Sequence, residues 1–169
     1  SDEVNLSIHS SDGELIKEFS DKSKENSIKV KKGGNSFVWD MKYPGAKRLD
    51  NMVLWGADFS GAKTVPGDYI VKLSVNDSEL TQDFTIHKDP TSEGSIEDIK
   101  AQFEFVNEIN DVVNEAHNAI ENIRKIKKDL TKFQSDYAAN ESAKNLINES
   151  KLILESIDLI ENELYQTKN

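Results

Sequence analysis

The chain has no cysteine, which removes disulfides, thiolate metal ligands and thiol nucleophiles together. That absence fits a reducing cytosol and a cysteine-poor bacterial envelope equally well. Proline is nearly as scarce, with 3 in 169 residues, and 7 of the 8 glycines precede Pro90, so only Gly94 interrupts the chain beyond it. No apolar run is long enough to span a bilayer, and the opening SDEVNLSIHS has neither the basic nor the apolar region of a signal peptide. The missing initial Met is expected of a processed form or a fragment. Positive charge is outweighed over the whole chain: a net charge of −10 argues against sequence-independent binding to nucleic acid and against an anionic membrane surface, both of which need a basic face. What remains is 36% hydrophobic content over 169 residues, enough for a packed core in one or two domains.

Up to Lys88-Asp89-Pro90 the hydrophobic repeat is two. Val4, Leu6 and Ile8 alternate with polar neighbours, Asp12-Gly13 supplies the positive φ of a hairpin turn, and Leu15 to Phe19 returns. Further strands are expected at Ser27 to Lys31, at Phe37 to Met41 after Gly33-Gly34-Asn35, at Met52 to Trp55, and at Tyr69 to Val75. Asn76-Asp77-Ser78 then turns the chain into Thr81 to His87. Seven or so short strands over residues 1–90 predict an immunoglobulin-like β-sandwich, with Tyr43 to Val65 fitting least well. Period-two pointing puts Phe37, Trp39 and Met41 on one face, which reads as core. The alternative is an aromatic platform for sugar rings drawn from Trp39, Tyr43, Trp55 and Tyr69, with Trp55 and Tyr43 the candidate ligand-binding residues.

Beyond Pro90 the repeat is seven. Phe105, Ile109, Val112, Ala116, Ala119, Ile123, Ile126, Leu130 and Phe133 follow steps of four and three, as in the seam of a helix packed on another helix. Ser95 and Asp98 are placed as a capping box at its start. A second seam runs Ala139, Ala143, Leu146, Ser150, Ile153, Ile157, Ile160 and Leu164. The two are out of phase by one residue, about 100° of rotation. A turn near residues 134–140 restores the match and makes residues 91–169 an antiparallel two-helix hairpin; a single kinked helix is the other reading. Val106, Val113 and Ile120 flank the first seam and Ile147 and Leu154 the second, so these five residues form the expected interaction surface. The fold class is therefore α+β, a sandwich followed by a hairpin.

No catalytic or metal constellation is found. His9, His87 and His117 are scattered, no Gly-x-Ser-x-Gly elbow occurs, and Lys31-Lys32-Gly33-Gly34 lacks the rest of a phosphate loop. Ser10-Ser11-Asp12-Gly13 lacks the spaced ligands of a calcium loop. No cofactor is expected.

The stretches Gly34-Asn35-Ser36-Phe37-Val38-Trp39-Asp40-Met41-Lys42-Tyr43-Pro44, Val65-Pro66-Gly67-Asp68-Tyr69 and Lys88-Asp89-Pro90 resemble the C-terminal region of bacterial sortilin-like β-propeller proteins, the glycosyl hydrolases of the BNR (Asp-box) repeat type. The first two also look like the Ig-like module of flagellar hook-capping proteins. Gln102-Phe103 through Ile123-Arg124 is similar to the helical stretch that follows the module in the propeller proteins. The Asp-box itself, Ser/Thr-x-Asp-x-Gly-x-x-Trp, is absent, and Thr91 stands where the family tends to have Arg. The resemblance implies a non-enzymatic accessory region, secreted or in the periplasm or envelope of a bacterium. Its implied partner is an upstream β-propeller or a second copy of itself, with carbohydrate binding as the alternative.

Overall fold

The computed structural model describes residues 3–50, 52, 56 and 58–165. They form a four-stranded antiparallel sheet followed by a long helix and a second helix, an α+β architecture. The chain divides into two compact units, Ser1–Ala46 with Asp58–Asn110 (the sheet unit) and Lys47–Ala57 with Asp111–Asn169 (the helical unit).

In the sheet unit, β1 (Val4–Ser10), β2 (Leu15–Ser20), β3 (Gly67–Val75) and β4 (Ser78–Ile86) lie in the order β2-β1-β3-β4. The β1–β2 turn forms where Asp-Gly permits it: Gly13 has φ of 91° and donates its N–H to Ser10 O at 3.0 Å. Val75 pairs with Ser78 across Asn76-Asp77, with Asn76 at φ 52°. A register shift between Ile8 and His9 lets Ile16 and Phe19 both be buried; strict alternation would point residues three apart to opposite faces. The core is Ile8, Ile16, Phe19 and Tyr69, with Trp39, Tyr43, Ile28 and Phe84 packed against it. Trp39 meets Tyr69 and Phe84 edge-on at 6.3 and 6.5 Å and donates its indole N–H to Lys42 O.

The segment between β2 and β3 is less regular than its sequence pattern. The expected strand at 27–31 is reduced to a single bridge, Ser20 to Ser27, and 37–41 carries none. Met41 explains part of this, because its φ of 54° breaks the extended path a strand requires. Residues 41–45 run instead against 59–64, held by Tyr43 N–H to Ala62 O and Thr64 N–H to Met41 O at 2.9 and 2.8 Å. The two paths cross at glycines: a Cβ on Gly45 would stand 1.7 Å from Phe59 O, and one on Gly61 2.0 Å from Tyr43 O. Of the expected strand at 52–55, residues 53–55 lie outside the described residues.

Helix α1 spans Ile96–Asp136. Its capping box forms with Asp98 in the acid role: Asp98 N–H donates to Ser95 Oγ at 3.0 Å, and Asp98 Oδ2 accepts from Ser95 N–H at 2.9 Å. The Ser95 hydrogen bonds hold the Asp98 carboxyl below its usual range. Helix α2 spans Lys144–Leu164 and follows a short 3₁₀ turn, Glu141–Ala143, started by Asn140, whose Oδ1 accepts from Ser142 N–H at 3.0 Å. Asn140 thus does the stopping and starting that no glycine or proline signals.

Within the helical unit the buried faces keep part of the expected seams, Ala116, Ala119, Ile123, Leu130, Ala143, Ser150 and Ile157 among them, and elsewhere take in the residue one position beyond. Ile120 is 1% exposed and His117 5%, whereas Val112 is 62% exposed and Ile126 nearly half. On α2 Ser150 and Glu161 are buried and Ile147, Leu154 and Ile157 half-buried, while Leu146, Ile153 and Ile160 are exposed. The physical reason is polar pairing. Arg124 Nε and Lys127 Nζ each donate to Glu161 at 2.8 Å, Lys127 also pairs with Asp158, and Gln134 Nε2 donates to Ser150 Oγ at 2.8 Å. Arg124, Lys127 and Gln134 stand one position after the apolar seam on α1, and turning that position inward brings them to the buried Glu161 and Ser150.

Candidate interaction surface

The clearest unexplained feature of the helical unit is apolar side chains left in water. On α1 these are Val112 and Ile126; on α2 they are Leu146, Leu152, Ile153, Leu159, Ile160 and Leu164, between 45% and 69% exposed. Single exposed aliphatics are ordinary, but a concentration of this kind on a 21-residue helix makes these side chains the candidate contact surface. Phe105 and Ile109, in the sheet unit's part of α1, are exposed as well.

The residues expected to form that surface lie elsewhere. Ile120 is fully enclosed, and Val106, Val113, Ile147 and Leu154 are half-buried. The hydrophobic pattern shows two adjacent apolar stripes on each helix; which of them turns inward depends on partners far away in sequence.

Glu161 is the electrostatic centre of the helical unit. It is 6% exposed, and hydrogen bonds from Lys127 and then Arg124 outweigh burial and keep its carboxyl below the usual range. Lys127 moves the opposite way, its ammonium stabilised by Asp158 and Glu161. The Arg124 guanidinium also lies 5.2 Å from the centre of the Tyr165 ring.

A second polar cluster fixes the chain at Lys47 to α1. Lys47 N–H donates to Asn114 Oδ1 at 2.6 Å, its carbonyl meets His117 Nδ1, and its ammonium pairs with Glu121. Leu49 is buried. His117, one of three histidines considered for chemistry, is thereby engaged with the backbone. His9 bonds Ser7 Oγ and Gly13 O. Among the described residues no group of three His, Cys, Asp or Glu side chains could hold a metal ion.

Of the aromatic candidates, Tyr43 packs on the sheet unit's core and sits 4.8 Å from Phe103 in an edge-to-face contact. Burial, followed by Asp12 and Glu14, raises its hydroxyl above the usual tyrosine value. Trp55 lies outside the described residues. Tyr69 is buried and donates its hydroxyl to Val65 O at 2.6 Å. A groove of about 730 Å³ at one end of the sheet has Val4, Leu6, Leu73 and Phe37 in its lining and Lys29, Lys31 and Lys32 around it.

No described helix is long and apolar enough to cross a membrane. Set against known proteins, the chain matches no family model, no curated protein and no solved structure.

Proposed function

We propose that this chain is a non-catalytic accessory and interaction region of a larger BNR-type glycosyl hydrolase-like protein, secreted or held in a bacterial envelope. Its sheet unit is an Ig-like module in which the irregular segment between β2 and β3 takes the place of a second sheet. Its helical unit is an antiparallel hairpin, a reading supported by the ion pairs: partners on α2 fall in number, Glu161 to Ser150, as those on α1 rise from Arg124 to Gln134. The work of the region is contact, either with the preceding propeller or with another copy.

The observation that carries this reading is the exposed aliphatic surface of the helical unit. Keeping so many leucines and isoleucines wet is unfavourable by about 25 cal/mol per Å², and a partner that covers them recovers that energy. The carbohydrate alternative gains nothing from Tyr43, whose ring is already in contact with Phe103. The test begins with the reading frame upstream, where a β-propeller is expected. Titrating that propeller, produced separately, into this chain should give saturable heat, or the chain should self-associate. A chain that stays monomeric and takes up no propeller refutes the proposal.

A further inference from the structure

We propose that the open end of the sheet's core face is a binding site for a free medium-chain fatty acid, with the tail laid on the strands and the carboxylate held among lysines. Val4 and Leu6 of β1 stand opposite Val75 and Leu73 of β3, and Leu73 stands opposite Leu80 of β4. All five therefore point to the face that carries Ile8 and Tyr69. Toward Ile8 and Tyr69 that face is closed by Trp39 and Tyr43. Toward Val4 and Val75 the chain from Ile28 to Phe37 forms the opposite wall of the groove of about 730 Å³, a volume within the roughly 300–1,000 Å³ of small-molecule sites. Val30 and Phe37 in that wall are 48% and 41% exposed, and Leu80 beside the floor is 71% exposed, so a hydrocarbon chain in the groove gains apolar cover on both sides.

Charge around the groove selects an anion. Residues 22–32 hold five lysines and one glutamate, in a chain whose net charge is −10. Lys29, Lys31 and Lys32 belong to the lining and are exposed, and none of the three takes part in an ion pair among the described residues. Their flexible stems are long enough to bring an ammonium over the mouth. Asp21 is the one carboxylate of the lining, and it is engaged elsewhere: it accepts Val4 N–H at 3.1 Å and pairs with Lys22 at 3.3 Å. The loop that carries Lys31 and Lys32 is already shaped, since Asn35 Oδ1 accepts from Lys31 N–H and Asn35 Nδ2 donates to Lys31 O and Gly33 O, each at 2.9 Å. Little ordering is then needed on binding. The floor decides between a tail and a peptide. β1 and β3 are the inner strands, paired on both sides, so their backbone groups are spent. A peptide pressed onto that floor would bury amides without partners there, whereas a hydrocarbon tail has none to bury.

Isothermal titration calorimetry of the whole chain with octanoate, decanoate and dodecanoate, each below its micelle-forming concentration, tests this. One molecule should bind per chain, and affinity should rise roughly tenfold for every two carbons added, as expected when methylenes are buried. The double variant Lys31→Gln with Lys32→Gln, at two exposed positions, should weaken decanoate at least fivefold and leave binding of the uncharged 1-decanol unchanged. Backbone amide shifts on adding decanoate should centre on Leu6, Phe37 and Leu73. Absence of saturable decanoate binding, equal affinity in the lysine variant, or shifts centred outside the groove overturns the proposal. A peptide of alternating Asp and Leu that occupies the groove when decanoate does not overturns it too, because the occupant is then a polypeptide.

Discussion

The sheet unit encloses Ile8, Ile16, Phe19 and Tyr69 in one cluster, with aromatic neighbours closing over it, whereas the helical unit encloses His117, Ser150 and Glu161 beside Leu49, Ile120 and Ala143 and leaves Leu152 and Leu159 in solvent. The first arrangement follows the usual expectation that apolar area drives burial. In the second, polar groups that need partners share the interior, while aliphatic groups that need cover wait outside. The difference teaches that hydrophobic periodicity predicts a helix's orientation only when its polar residues have no stronger preference. Where Arg124, Lys127 and Gln134 can each be satisfied by a single face of α2, they set the rotation, because a buried polar group without a partner is unfavourable by roughly 1–3 kcal/mol.

The comparison can be broken or sharpened by substitution. The largest effect is expected in the sheet unit at its glycine crossing. Gly45→Ala forces a Cβ to 1.7 Å from the Phe59 carbonyl, and backbone cannot give way as a side chain can. Thermal unfolding should report a loss upwards of about 3 kcal/mol. Gly34→Ala, with nothing within 4 Å, is the matched control and should be nearly neutral. Next comes Ile120→Ala, at the most enclosed side chain of the helical unit, with an expected loss of about 2–4 kcal/mol. Ile126→Ala, half-exposed one turn and a half along the same helix, should lose less than about 1 kcal/mol in dilute monomer. Equal losses at the two would mean that the inward face is assigned wrongly. Glu161→Gln removes the charge that Arg124 and Lys127 share. Because those partners are only partly buried, the expected loss is moderate, about 1–2 kcal/mol by chemical denaturation.

The smallest effect is one of pH. Glu161 and Asp98 both have carboxyls held below their ordinary values in the folded chain. Such groups contribute stability that is fully present above the unfolded-state pKa and is lost as pH falls through the folded one. The melting temperature should therefore be flat from neutral pH down to the ordinary carboxylate range and decline below it, with a shallower decline in Glu161→Gln. A variant profile that superposes on wild type would remove Glu161 from the account.

Much of the secondary structure was legible because its signals are local. Asp12-Gly13 and Asn76-Asp77 turn the chain where the dihedral chemistry of those residues allows, and Ser95 with Asp98 starts α1 where the capping pattern stands. The fourfold and threefold steps also gave helices of nearly the right span. What escaped the sequence depends on distance along the chain. Lys47 finds Asn114 67 residues later, and Gly45 meets the backbone of Phe59, in a stretch that follows the left-handed Met41. The apolar side chains left exposed on the helices are not the expected Val113, Ile120 and Leu154, which are half-buried or enclosed, but include neighbours one residue away such as Val112 and Ile153. Reading Arg124, Lys127 and Glu161 as mutual partners, rather than as solvated charges, was the missing signal.

The Lys47 attachment carries a consequence for handling the protein. Because the helical unit is assembled from two stretches of chain with 58–110 between them, no single scission can excise it whole. A fragment beginning after Pro90 would keep both rods yet shed Lys47 and the buried Leu49, taking away the Lys47 carbonyl that His117 meets. Truncations placed at the compositional break should thus melt earlier than the intact polypeptide, for want of a short tether that belongs, in sequence, to the other half.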